Sequence, residues 1–181
     1  MSNLTNFKSN FSGGGARPNL FQVTIDFPSG VSDGANAGRQ TNFLVKAASI
    51  PASVLGTIEV PYRGRKLKVA GDRTFEPWTI TVINDTDMKI RKAFEEWMNI
   101  VNRHSSNTSN LPQGALSYFK NVSVDQLGRS SLTNSLAKYT FIDAYPTNIS
   151  AIDLNYETND TVEEFTVELN YQYWISGAVT S

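Results

Sequence analysis

The chain holds one histidine, His104, and two serines, Ser105 and Ser106, follow it directly. Histidine, serine and an acid can carry out acyl transfer, but such groups meet across a fold, and adjacent residues do not face each other as nucleophile and base. His104 therefore reads as a solvated residue at a helix end. There is no cysteine, which excludes disulfides, thiolate zinc sites and a cysteine nucleophile. The run Gly13-Gly14-Gly15 lacks both the Gly-Lys-Ser/Thr continuation and the preceding strand of a phosphate loop. Asp153, Asn155, Glu157 and Glu164 mimic the spacing of a calcium loop. However, Thr158 occupies the position that needs glycine, and the flanks alternate as strands do. An acidic hairpin turn is the expectation there. Seven Asn-x-Ser/Thr triplets follow from the abundance of these residue types. No cofactor, metal or catalytic site is expected.

The elements point to a β protein. Residues 1–19 read as a flexible arm, because the glycine run holds no fixed backbone unaided. Phe21, Val23, Ile25 and Phe27 alternate with polar residues, which predicts a half-buried strand. Pro28 to Gln40 is rich in Gly, Ser, Asn and Asp and reads as a long loop, with Phe43 to Ala48 as the return strand. Thr57–Tyr62 and Arg65–Val69 flank Gly64 as a hairpin. Trp78, Ile80 and Val82 mark a further strand. After Asn84-Asp85, candidate caps, Ile90, Phe94, Trp97 and Val101 form an apolar stripe at helical spacing, with Ala93 and Met98 beside it. Strands are expected again at Ser117–Val124, Leu136–Ile142 and Ile152–Tyr156, and as one nine-residue alternation over Phe165–Tyr173. The fold class is mainly β (α+β). We expect an antiparallel sandwich or barrel with one flanking amphipathic helix and a protruding β-hairpin. Residues 20–175 would form a single domain and residues 176–181 a C-terminal tail.

Charge sharpens the reading. Charged residues are 18% of the 181, and Asn, Ser and Thr supply 51 residues in their place. The net charge is −1, which argues against a dedicated nucleic-acid binder. Residues 1–138 nevertheless carry all 16 Lys and Arg, and residues 139–181 carry seven Asp and Glu with no base. The densest basic cluster is Arg63, Arg65, Lys66, Lys68 and Arg73. Met1 to Gly15 shows no apolar signal-peptide core, and no apolar run is long enough for a membrane span. We therefore expect synthesis in a cytoplasm and no membrane partner. Many strands, few edge guards and opposite charge poles fit self-assembly.

Specific residues add to this. Ala16-Arg17-Pro18-Asn19-Leu20-Phe21-Gln22-Val23 resembles the start of the major tail tube protein family of contractile-tailed bacteriophages. So do Arg65-Lys66-Leu67-Lys68-Val69-Ala70-Gly71-Asp72-Arg73-Thr74-Phe75, the strand Trp78–Val82 and the Asn84-Asp85 helix start. Pro146-Thr147-Asn148 and the last strand into Tyr173-Trp174 continue the match, in order, over about residues 16 to 174. The Pro28–Gln40 segment and the glycine-rich arm are longer than the family pattern.

The resemblance implies a structural virion protein of the phage tail. It implies hexameric rings stacked into a hollow tube inside the sheath, nucleated on a baseplate tube initiator and measured by a tape-measure protein. Genomic DNA would pass through without specific binding. It further implies contacts between subunits and rings at Arg17, Pro18 and Asn19, at the hairpin residues Arg63, Gly64, Arg65, Lys66 and Lys68, and at Gly71, Asp72 and Arg73. We expect Gly71 to sit where a side chain cannot fit, at a bend after the hairpin and with a positive φ, and Asp72 and Arg73 to be candidates for a fixed ion pair at an interface. The alternatives are the inner tube of a phage-derived injection system or tailocin, a monomeric carbohydrate-binding β-sandwich, and an enzyme using His104.

Overall fold

The computed structural model describes residues 3–11, 14–109, 111, 116–129 and 135–177. Helix α1 (Leu4–Asn10) comes first, capped by the Asn3 side chain, which accepts from the Thr5 N–H. It lies within the segment expected to be an arm, and all its residues are exposed. Of the expected tail at 176–181, Ser176 instead ends the last strand, and the residues beyond 177 lie outside the described residues.

Strands β1 (Phe21–Ile25), β6 (Lys120–Leu127), β7 (Ser135–Ile149) and β9 (Tyr173–Ser176) form one half of the main sheet. The other half joins the end of β7 to β8 (Glu164–Asn170), β5 (Trp78–Ile83) and β2 (Val45–Ala48). All pairs are antiparallel. Strand β7 is 15 residues long and serves both halves. It changes partners at Asp143, whose φ of 55° places it in the left-handed region that a regular strand does not use. The alternation over Phe165–Tyr173 is therefore two strands. The chain leaves β8 after Asn170 and pairs again as β9 with the other half of β7.

Between the halves, Trp78 of β5 stacks on Phe141 of β7 at 4.3 Å. Val23, Ile25, Ile80, Val82, Phe165, Val167 and Leu169 are buried around them, as the alternation predicts. Helix α3 (Lys89–Val101) covers this core with Ile90, Ala93, Phe94, Trp97 and Ile100. The expected stripe is present, though Ile100 is buried where Val101 is only half-buried. The cap differs from expectation. Met88, with φ 53°, holds the cap position, and Asp85 Oδ1 accepts from the Lys89 N–H at 3.2 Å from three residues further back. Asn84 turns away to Glu163.

Two segments depart from the sequence reading. Much of Pro28–Gln40 is not loop: α2 (Gly34–Leu44) runs through it, and β2 begins only at Val45. Gly and Asn are poor helix formers in isolation, and packing overrides them here. Ala37 and Thr41 are buried, and Gly38 lies so close to β1 that a Cβ would meet the Ile25 carbonyl oxygen at 2.7 Å. Gly38→Ala is expected to destabilise the chain by about 1–3 kcal/mol, since a rigid strand backbone must move. A thermal melt unchanged from wild type would refute this. The second departure is residues 151–163, which form no strand. Leu154 is 82% exposed and Tyr156 fully so. Their alternation has no neighbouring strand to pair with, so no sheet forms.

Candidate assembly interface

Among the described residues, strands β3 (Val54–Tyr62) and β4 (Arg65–Thr74) pair only with each other. Their two-residue turn is Arg63-Gly64, with φ of 46° and 82°. Two positive φ values define the type I′ turn that matches the twist of a hairpin, and Gly64 takes that conformation without cost. Nine residues at about 3.3 Å each give an arm of roughly 30 Å. Apart from half-buried Gly71, every residue of both strands is exposed.

The root of the arm is fixed to the core. Trp78 Nε1 donates to the Ser49 carbonyl at 2.7 Å, and Trp174 Nε1 to the Ala52 carbonyl at 3.2 Å, both just before β3. Just after β4, Phe75 packs on Tyr171 at 5.9 Å. Burial, with a lesser contribution from Glu76, holds the Tyr171 phenol above its ordinary pKa. The projecting strands thus leave from a rigid base.

The register divides the arm into two faces, because residues opposite each other in an antiparallel pair point the same way. Ile58 opposes Val69, Val60 opposes Leu67 and Tyr62 opposes Arg65. This face is apolar, and its hydrophobic side chains are 45–66% exposed. The other face sets Glu59 against Lys68 and Pro61 against Lys66. There the Lys66 ammonium pairs with the Glu59 carboxylate at 2.6 Å, an exposed contact contributing at most about 1 kcal/mol. Arg63 stands 5.4 Å from the Tyr62 ring centre at the tip.

The expected contact residues fall into two groups. Arg63, Gly64, Arg65, Lys66, Lys68, Gly71, Asp72 and Arg73 all belong to this arm. Arg17, Pro18 and Asn19 belong to a turn ahead of β1, where Gln126 Nε2 donates to the Arg17 and Leu20 carbonyls at 2.6 and 2.9 Å. One detail is corrected. Gly71 sits inside β4, and its φ is not positive. It is confined by proximity: at the bulge between Leu55 and Thr57, a Cβ would meet the Gly56 backbone at 3.1 Å. In the single chain Asp72 and Arg73 do not pair with each other, since neighbours on a strand point to opposite faces. The apolar face is what sequence reasoning missed. Its signal is the alternation Ile58, Val60, Tyr62 and Leu67, Val69 on either side of a two-residue turn, which places all five together.

Elsewhere the chemistry is sparse. Among the described residues no three His, Asp or Glu side chains gather as metal ligands. His104 is exposed, and its backbone N–H donates to Asn99 Oδ1 at 3.3 Å. In the calcium-like stretch, Asn155 Oδ1 accepts from the Glu157 N–H at 3.0 Å, so the spacing encodes a local turn within an exposed loop rather than a hairpin. No described helix is long and apolar enough to cross a membrane.

Among the described residues the hairpin arm pairs only with itself, and β1, β2 and β9 each pair with a single strand. The family model for phage tail tube proteins matches residues 16–177. The chain belongs to that family. Tail tube protein gp19 of Enterobacteria phage T4 is 34% identical over 164 residues, covering 90% of this chain and 93% of gp19. The tail tube protein of Serratia phage KSP90 is 31% identical over 173 residues, covering 94% and 95%. The fold is also that of the PVC sheath/tube terminator of an extracellular contractile injection system. The TM-score is 0.64 at 14% identity, with 90% of this chain and 96% of that one covered. The resemblance carried by residues 16–174 is thus borne out, and this tail tube protein is a structural component of a phage virion tail.

Proposed function

We propose that the chain builds hexameric rings that stack into the hollow tube of a contractile phage tail, the conduit for DNA ejection. The observation that carries this is the rooted hairpin with an unpartnered apolar face, in a chain of the tail tube family. Head-to-tail contacts of this kind close into rings or extend as filaments. Arg17, Pro18 and Asn19, together with the arm from Arg63 to Arg73, form the contacts between subunits and rings.

The tail sheath protein surrounds the tube, a baseplate tube initiator nucleates it, and a tape-measure protein occupies the lumen during assembly. DNA passes without specific binding. A net charge of −1 suits that role, because each neutralised phosphate would add affinity and slow passage. The chain has no catalytic role. A phage tube is favoured over the tube of an injection system because the relatives at 31–34% identity are phage tail tube proteins, whereas the injection-system match at 14% shows the fold alone.

Negative-stain electron microscopy of the purified protein, raised stepwise in concentration and with a tube initiator added, tests this. Hollow tubes with sixfold end views are expected. A monomer under every one of these conditions would overturn the proposal.

A further inference from the structure

We propose that the apolar face of the hairpin docks on residues 151–163 of a second copy of the chain; this rests on the tube reading above. Two exposed surfaces need partners, and they complement each other. The arm from Val54 to Thr74 carries five basic and two acidic residues, with Arg63 and Arg65 beside Tyr62 on the apolar face and Lys66 and Lys68 on the other. Residues 151–163 carry Asp153, Glu157, Asp160 and Glu163 and no base. Both surfaces are also apolar. Leu154, Tyr156 and Val162 are 82%, 102% and 67% exposed, opposite in need to Val60 at 45% and Leu67 at 63%.

Among the described residues no other helix or strand packs extensively on the arm. Helix α1 also exposes apolar residues, Leu4 and Phe7, but its sole charge is Lys8, of the same sign as the arm. Like charges oppose docking, and opposite charges steer it and set its register. The 151–163 segment is held internally by the turn at Asn155 and tied to the body through Asn84 and Glu163. Seating the arm on it freezes exposed side chains, which costs entropy. A single contact is therefore weak, and the contact persists only when a ring repeats it.

The absence of cysteine makes the test clean. Val60→Cys or Leu67→Cys in one chain is mixed with Leu154→Cys or Tyr156→Cys in another, brought to assembling concentration and oxidised. A disulfide requires Cα atoms within about 7 Å, so only a docked pair is captured. Covalent dimers are expected in at least one of the four mixtures and not with Phe7→Cys in place of the second chain.

A charge swap gives an independent readout. Arg63→Glu with Arg65→Glu, which stand at Tyr62 on the apolar face, and separately Asp153→Lys with Glu157→Lys, should each raise the concentration needed for assembly about tenfold or more, as like charges then meet. The two pairs combined in one chain should restore it. Wild-type tubes with no cross-link in any of the four mixtures and no rescue would overturn this pairing while leaving the tube reading intact. Capture by Phe7→Cys would do the same. A wild-type chain that never assembles would overturn both.

Discussion

Val60→Lys combined with Leu67→Glu yields a folded monomer that no longer builds tubes. The two side chains face each other across the hairpin, and neither touches the core. The new Lys and Glu form an opposite-charge cross-strand pair, which supports the hairpin by about 0.2–1 kcal/mol. Net charge is unchanged, so any effect is local. In an assembled tube the same pair lies where two apolar side chains are buried, each contributing about 1.5–3 kcal/mol. Losing both costs about 3 kcal/mol or more per contact, roughly a hundredfold in its equilibrium constant. Every subunit repeats the loss, so assembly disappears. Circular dichroism and thermal melting should match wild type, while sedimentation velocity and microscopy show monomers alone. Tubes at the wild-type concentration would show that this face meets solvent.

Phe94→Ala should give the largest loss of stability. Phe94 is fully buried on α3, with Phe27 at 5.1 Å edge-on and Trp97 stacked at 6.2 Å. Trp97 cannot move to fill the space, because its Nε1 donates to the Tyr118 carbonyl at 2.9 Å. A large-to-small change at such a site costs about 3–5 kcal/mol. That is a large share of the roughly 5–15 kcal/mol that holds a domain folded, and the melting point falls by on the order of 10 °C. Phe43, 85% exposed on α2, is the control, and Phe43→Ala should cost no more than about 0.5 kcal/mol in the monomer. Equal melts for the two variants would mean that the core is misplaced.

The legible parts of this fold were those with a complete local signal. The α3 stripe, the alternation of Trp78, Ile80 and Val82, and the Arg63-Gly64 turn each follow from spacing and residue type within a few positions. The family was legible from ordered motifs between Ala16 and Trp174, which the matches over residues 16–177 bear out. Of the interface candidates, the basic arm was visible as a charge cluster, whereas its apolar face is a matter of register.

The sequence by itself determined a β protein with a covering helix, a hairpin at residues 57–69 and the tail tube family. Only the tertiary structure decided three things. The Gly- and Asn-rich segment after Pro28 is a helix, because burying Ala37 and Thr41 against β1 outweighs weak propensity. The long C-terminal alternation breaks after Asn170, because the two halves of β7 each need a partner on their own side of the bend at Asp143. Residues 151–163 remain outside the sheet despite their alternation, because a strand is stable only where another edge lies beside it, and where edges lie is a property of the whole fold.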